Sequence, residues 1–319
     1  MSFTIQNKVE NGFTMIALKD ESSGTFAEVI PSCGAILYTF TVTHQGNKLN
    51  VIDSYDSAED FKKNVTSKGF RGCKLSPFVC RLNKGKYHFA GKDYQVQKFY
   101  LDSHALHGLI YDKAFTVIHQ NASEEKASIT MQYLYRAFDT GYPFFYDCIV
   151  TYEFVRDNKL NVVTEIVNKN EGSIPIQDGW HPYFKLDAKV DDLQLEFKSK
   201  EMVEFNRELI PTGTLTHYEE FRSFRYLDNT SLDNCFALNF SESRPMCILR
   251  NKEKKIEVEI DPEESYPYLQ IYIPPHRNSI SLENLSSAPD AFNNGMGLRI
   301  LLPGESAFFK TSYKITLLT

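Results

Sequence analysis

The chain has 319 residues, 42% hydrophobic and 24% charged, the balance of a folded globular protein and not of a disordered or fibrous one. A formal net charge of -6 excludes the basic field that nucleic acid or an anionic membrane surface would call for, so a small neutral partner is expected. Aromatic residues make up 13%, with 18 Tyr and 24 Phe, residues at home on pleated, half-buried surfaces, so strands are favoured.

Met1 to Lys8 lacks the charged start and apolar run of a secretion signal, and no stretch approaches the roughly 18 consecutive apolar residues of a membrane helix, so a soluble, cytoplasmic protein is expected. Cys33, Cys73, Cys80, Cys148, Cys235 and Cys247 contain no CxxC pair and read as buried free thiols in a reducing compartment.

Along the chain, Ser57 to Val65 carries the best helical signal, with Asp56 or Ser57 as cap and Ala58, Phe61 and Val65 at helical spacing. Lys86 to Phe89 and Tyr94 to Gln97 flank an Ala90-Gly91-Lys92-Asp93 turn, which predicts a hairpin. From Ala127 to Arg136, Ile129, Met131, Tyr133 and Tyr135 alternate with Ser128, Thr130, Gln132 and Leu134, the period of a strand with one face in a core. Ile248 to Arg250 and Ile256 to Ile260 flank a second turn, Asn251 to Lys255. Ala307, Phe309, Thr311, Tyr313 and Ile315 repeat the two-residue period and predict a central or closing strand.

Strands follow strands with no intervening helices, linker, repeat or low-complexity tract. Such an order cannot build a parallel α/β sheet, so residues 1–319 are read as one all-β domain of stacked antiparallel sheets, a sandwich ahead of a barrel.

Four polar islands end strand-like runs, where loops present side chains into a shared cleft. They are Ser76 to Arg81, Leu106 to Leu109, Asp178 to Phe184, and Ser281 to Leu285. Gly108 turns the backbone just beyond His107, placing that imidazole at a strand end; alone it reads equally as a satisfied or exposed histidine. Trp180-His181-Pro182-Tyr183-Phe184 gathers the single Trp, a titratable ring and two further aromatics, which suits the apolar face of a pyranose as well as it suits a core strand. Alternation places Ile280 and Leu282 on one face and Ser281 and Glu283 on the other. A carboxylate so placed is either solvated or a desolvated base with a raised pKa, and the residues alone favour the solvated reading. Asp233 reads as an Asx turn.

Taken together, the order and spacing of these islands resemble the aldose 1-epimerase (galactose mutarotase) family. Arg81, the Gly85 to Phe89 and Gly91 to Tyr94 segments and Leu106-His107-Gly108 are similar to its first signature, and Trp180 to Phe184 to its second. Asp233 falls where the family has its substrate-binding Asp, and Glu283 followed by Ala288 to Asn293 resembles its third segment. Cys80, where many members carry Asn, and Leu109, where many carry Gly, depart from the pattern.

The resemblance implies a large antiparallel β-sandwich with few short helices and an open cleft. It implies Glu283 as general base at the C1 hydroxyl and His181 as general acid at the ring oxygen. His107, Arg81 and Asp233 would hold and polarise the sugar, and Tyr183 and Trp180 would supply aromatic faces. The substrate would be a free aldohexose, and ring opening by proton transfer calls for neither cofactor nor metal. A base must be ionised, as Glu normally is, and an acid protonated, as His is near neutrality with help from a neighbour.

Three alternatives share parts of this pattern. A hexose 6-phosphate would need cations such as Arg71, Lys84 or Lys86 at the cleft. A non-catalytic carbohydrate-binding module would have no use for the matched pair Glu283 and His181. A metal site on His104 and His107 is disfavoured because their spacing sends the rings to opposite faces of a strand.

Overall fold

The computed structural model describes residues 2–319. Two large antiparallel sheets dominate it. The first is nine-stranded, in the order Thr116–Ala122, Lys126–Arg136, Phe145–Val155, Lys159–Asn168, Ser306–Leu317, Ile256–Ile260, Cys247–Asn251, Gln194–Phe197, Arg225–Tyr226. The second runs Pro211–His217, Ser199–Phe205, Asp233–Leu238, Tyr268–Tyr272, Ile280–Leu285, Gly179–Trp180, Lys74–Leu75, with Tyr183–Phe184 also paired to Ile280–Leu285. A five-stranded sheet built from Phe3–Glu10 to Asn47–Asn50 adds a further layer. This is the expected all-β architecture.

Local signals account for most elements. Ser57 caps the helix Ala58–Asn64 by accepting from the Asp60 amide at 3.1 Å. In Lys126–Arg136, Ala127, Ile129, Met131 and Tyr135 are buried while Leu134 is exposed, as the period of two requires. Ser306–Leu317 lies centrally, paired with Lys159–Asn168 on one side and Ile256–Ile260 on the other. One turn is shorter than expected. Ala90 and Gly91 take φ of 49° and 76°, the left-handed pair of a two-residue hairpin turn, so Lys92 and Asp93 already pair with Phe89 and His88.

The sheets meet through alternate residues of their strands. Phe236, Leu269, Ile271 and Leu282 are fully buried, each contributing about 1.5–3 kcal/mol by removal from water. Asn284 follows Leu282 on the same face, and its amide donates to Thr311 Oγ1 at 3.0 Å and to the Tyr313 hydroxyl at 3.3 Å, on the nine-stranded sheet. Phe184 packs edge-on against Tyr313, and Trp180 against Tyr152, from opposite sides of the same gap.

A buried ion pair ties together the segment that precedes His181. Lys74 and Asp178, both fully buried, bond side chain to side chain. Lys74 Nζ also donates to the Gly179 carbonyl at 3.2 Å, and the Tyr266 hydroxyl donates to Asp178 Oδ1 at 2.6 Å. The ammonium sits 4.4 Å from the Trp180 ring centroid. Removing one partner strands a desolvated charge, so Asp178→Ala is expected to lower stability by about 3–5 kcal/mol in urea unfolding. The double change Lys74→Met with Asp178→Leu, which removes both charges, should recover most of that loss.

Candidate active site

Cross-strand register builds the floor of the site. Cys235, Gln270 and Glu283 stand opposite one another on three adjacent strands, and Asp233, Tyr272, Ser281 and Tyr183 form the next row. Two rows spaced by two residues share a face, and here it is the face turned away from the nine-stranded sheet. Loops bring Phe70, Cys80, Arg81 and His107 over this floor, and together they enclose a cavity of about 260 Å³. That lies just below the roughly 300–1,000 Å³ of small-molecule pockets.

Glu283 and His181, 102 positions apart, meet with Oε1 and Nε2 at 3.3 Å. Ser281 Oγ lies 2.9 Å from His181 Nδ1, 3.4 Å from Glu283 Oε1 and 3.2 Å from the Pro182 carbonyl. The hydroxyl thus orients the imidazole from behind and leaves Nε2 facing the carboxyl group. The His181 backbone is held on both sides, its amide donating to Cys73 O and its carbonyl accepting from Gly72 N. Tyr183 stacks on the ring at 5.1 Å.

His107 stands edge-on to His181 at 4.8 Å and is supported by Phe70 at 4.6 Å. Its backbone has φ of 59°, and Gly108 follows at 76°. A Cβ on Gly108 would lie 2.4 Å from Ser76 O, so only glycine lets this loop lie against the Ser76 strand end. Asp233 accepts from Gln270 Nε2 at 2.8 Å, and the Arg81 guanidinium opposes the upward push that burial gives its carboxyl group.

Burial decides the charge states. Desolvation pushes Glu283 well above the usual carboxylate range, reinforced by the Asp233 charge. It also lowers His181 to about 3, and His107 well below the ordinary imidazole range with help from His181 and Arg81. The solvated reading of Glu283 is thereby overturned, since the residue is 1% exposed. Burial thus works against the expected pairing of an ionised Glu with a protonated His.

Of the seven residues singled out in the sequence, six line this cavity: Glu283, His181, His107, Arg81, Asp233 and Tyr183. Trp180, expected to offer an aromatic face to the sugar, is a correction. If His181 and Tyr183 face the cavity, the residue before them in an extended chain faces the core, and Trp180 is buried there against Tyr152 and Lys74. Gln270 and Tyr272 went unrecognised, although their alternation with Leu269 and Ile271 carried the same signal as Ser281 and Glu283. His104 turns away from His107, with Nδ1 accepting from the Lys84 amide at 3.1 Å.

The site is thus a small cavity on a β-sandwich with a buried carboxyl group and imidazole in contact. Residues 16–314 match the family described as aldose 1-epimerase, and the chain belongs to that family. Its relatives include the uncharacterized protein YihR of Escherichia coli (strain K12), 25% identical over 247 residues covering 73% of this chain and 75% of that protein. The bifunctional protein GAL10 of Kluyveromyces lactis is 26% identical over 275 residues, covering 78% of this chain and 38% of that one. Among solved structures, a galactose mutarotase-like protein from Clostridium acetobutylicum superposes with a TM-score of 0.88 at 17% identity, over 99% of each chain. A galactose 1-epimerase from Lactobacillus acidophilus does so at 0.81 and 18% identity, again over 99% of each. These likenesses show a galactose mutarotase-like fold, and family membership supports an isomerase acting on a small carbohydrate. No helix among the described residues is long and apolar enough to cross a membrane.

The opposite placements of Trp180 and Tyr183 are separable by mutation. Trp180→Phe is expected to lower the melting temperature while leaving monosaccharide affinity unchanged in calorimetric titration. Tyr183→Ala should weaken that affinity by roughly 2–10-fold, the worth of one aromatic contact of about 0.5–1.5 kcal/mol.

Proposed function

We propose that the chain interconverts the α and β anomers of a free aldohexose, such as glucose or galactose, by acid–base opening and closing of the ring. The observation that carries this reading is the buried contact of Glu283 with His181 at 3.3 Å on the cavity floor. A hemiacetal carbon bears two oxygens, and opening requires a proton taken from one while another is given to its neighbour. Adjacent acid and base groups serve both from one position.

Burial alone favours the pair as carboxylic acid and neutral imidazole. Transfer of that one proton to Nε2 creates the carboxylate base and the imidazolium acid without changing the net charge of the cavity. Sugar hydroxyls hydrogen-bonded to both groups favour the charged arrangement. Glu283 then takes the C1 hydroxyl proton as His181 protonates the ring oxygen, the C1–O5 bond breaks and the aldehyde forms. Rotation about C1–C2 and the reverse transfers close the other anomer and restore both groups.

Arg81, His107 and Asp233 hold the remaining oxygens in this scheme, with Gln270 orienting Asp233. Each positioned proton-transfer group contributes about 10²–10⁴-fold, so the pair accounts for most of the acceleration.

Of the cations that a 6-phosphate would require, Arg71 lies 5.8 Å from the ring of the cavity-lining Tyr183 but is already engaged, and the two lysines lie apart, which favours the free sugar. Arg71 is committed to Asp53 at 3.1 Å and to the Ser54 carbonyl at 3.3 Å. Lys84 and Lys86 border a separate depression beside Tyr87 and Tyr94.

Polarimetry on freshly dissolved α-glucose and α-galactose tests the proposal. The wild-type chain should accelerate the approach to anomeric equilibrium, and Glu283→Gln should lose about 10²–10⁴-fold of that acceleration with an unchanged melting curve. Wild-type rates in the variant would overturn the assignment of the base. Saturable sugar binding with no acceleration by the wild type would point to a carbohydrate-binding module, and faster turnover of glucose 6-phosphate than of glucose would overturn the free-sugar reading.

A further inference from the structure

The cavity floor holds a second arrangement that anomer exchange does not call for. Cys80, His107 and Glu283 each present a ligand-type atom, and the sulfur, ring nitrogen and carboxylate oxygen all lie within 4.8 Å of one another. Cys80 Sγ already contacts Glu283 Oε2 at 3.9 Å. All three side chains are more than nine-tenths buried, with exposures of 6%, 7% and 1%. His107 Nδ1 is buried with no hydrogen-bond partner, an unusual state for an imidazole. Cys80 is also, with Leu109, one of the two positions that depart from the family pattern.

We propose that Cys80, His107 and Glu283 form a three-ligand site for a thiophilic divalent cation, Zn²⁺, whose binding blocks the sugar site. A sulfur, an imidazole nitrogen and a carboxylate oxygen match zinc among the common divalent ions, whereas Mg²⁺ and Ca²⁺ take oxygen ligands. Zinc bonds of about 2.0–2.3 Å at tetrahedral angles place ligand atoms roughly 3.5 Å apart. Binding therefore calls for the three side chains to rotate inward from the present spread. Backbone positions assist, because Cys80 at φ of 47° and the His107 amide bonded to the Cys80 carbonyl at 2.9 Å hold the two loops together.

A bound ion engages Glu283 as a carboxylate, whose proton passes to His181 Nε2 or to solvent, and displaces the Cys80 thiol proton to solvent. The base is then unavailable and the sugar pocket is filled in part, so Zn²⁺ acts as a reversible inhibitor competing with substrate. The site itself stands on geometry alone; the inhibition rests on the acid–base role proposed for Glu283.

Binding is measured without turnover. Wild-type protein is titrated with ZnCl₂ by calorimetry and with CoCl₂ by absorption, where a thiolate ligand adds a charge-transfer band in the near ultraviolet. One equivalent of metal is expected, with a band that disappears in Cys80→Ser. Cys80→Ser and His107→Ala should each weaken Zn²⁺ by at least about tenfold, since loss of even an outer partner of a ligand costs 10–100-fold. Melting curves establish that the variants fold, and two variants on separate loops guard against a defect in either. Absence of stoichiometric binding to the wild type, or a charge-transfer band that survives in Cys80→Ser, would overturn the site. Polarimetry with and without ZnCl₂ then tests inhibition: a rate restored by chelator supports it, and an unchanged rate with metal bound overturns it. A wild-type chain that binds metal but never accelerates anomer exchange would instead sink the catalytic reading, leaving the metal site standing.

Discussion

The strand Ile280–Leu285 is the constraint on which the rest depends, because all six of its residues are buried and yet its two faces serve opposite ends. Leu282 and Asn284 lock the strand to the nine-stranded sheet, and any slip of one residue would place Glu283 in that apolar gap. The core contacts therefore hold the carboxyl group where it is. His181 reaches it by a different route, through a segment held by Cys73, Gly72 and the buried Lys74–Asp178 pair. The geometry of the candidate site is a by-product of sheet register, supported by residues outside the cavity lining.

Desolvation gives the pair its chemical character. In water a carboxylate and an imidazole would titrate independently near their reference values of about 4.3 and 6.5. Under a cover of Phe70 and neighbouring side chains, burial penalises charge on either group alone. Such a pair changes its internal arrangement more readily than its total charge, which suits a reaction that begins and ends with the same protonation. Arg81 keeps the cavity from becoming uniformly acidic by balancing Asp233.

Much of this was legible before any coordinates. The alternation at Ser281 to Glu283, the hairpins, the cap at Ser57 and the central C-terminal strand each express a local rule, and each is seen in the structure. Trp180 misled because an aromatic beside a titratable ring fits a sugar platform and a core strand alike, and only the facing of His181 separates the two. Gln270 escaped notice because a glutamine between Leu269 and Ile271 carries no chemistry of its own until Asp233 and Glu283 flank it.

By itself, the sequence determined the strand-rich architecture, the acidic net charge and the set of loops able to carry chemistry, since composition, periodicity and turn residues act over a few positions. Tertiary structure alone decided that residues 80, 107, 181, 233, 270 and 283 share one cavity, that Trp180 does not, and that the acid–base pair is driven toward neutrality. Those outcomes depend on which strands lie side by side and how much water they exclude, and neither quantity belongs to any single segment of the chain.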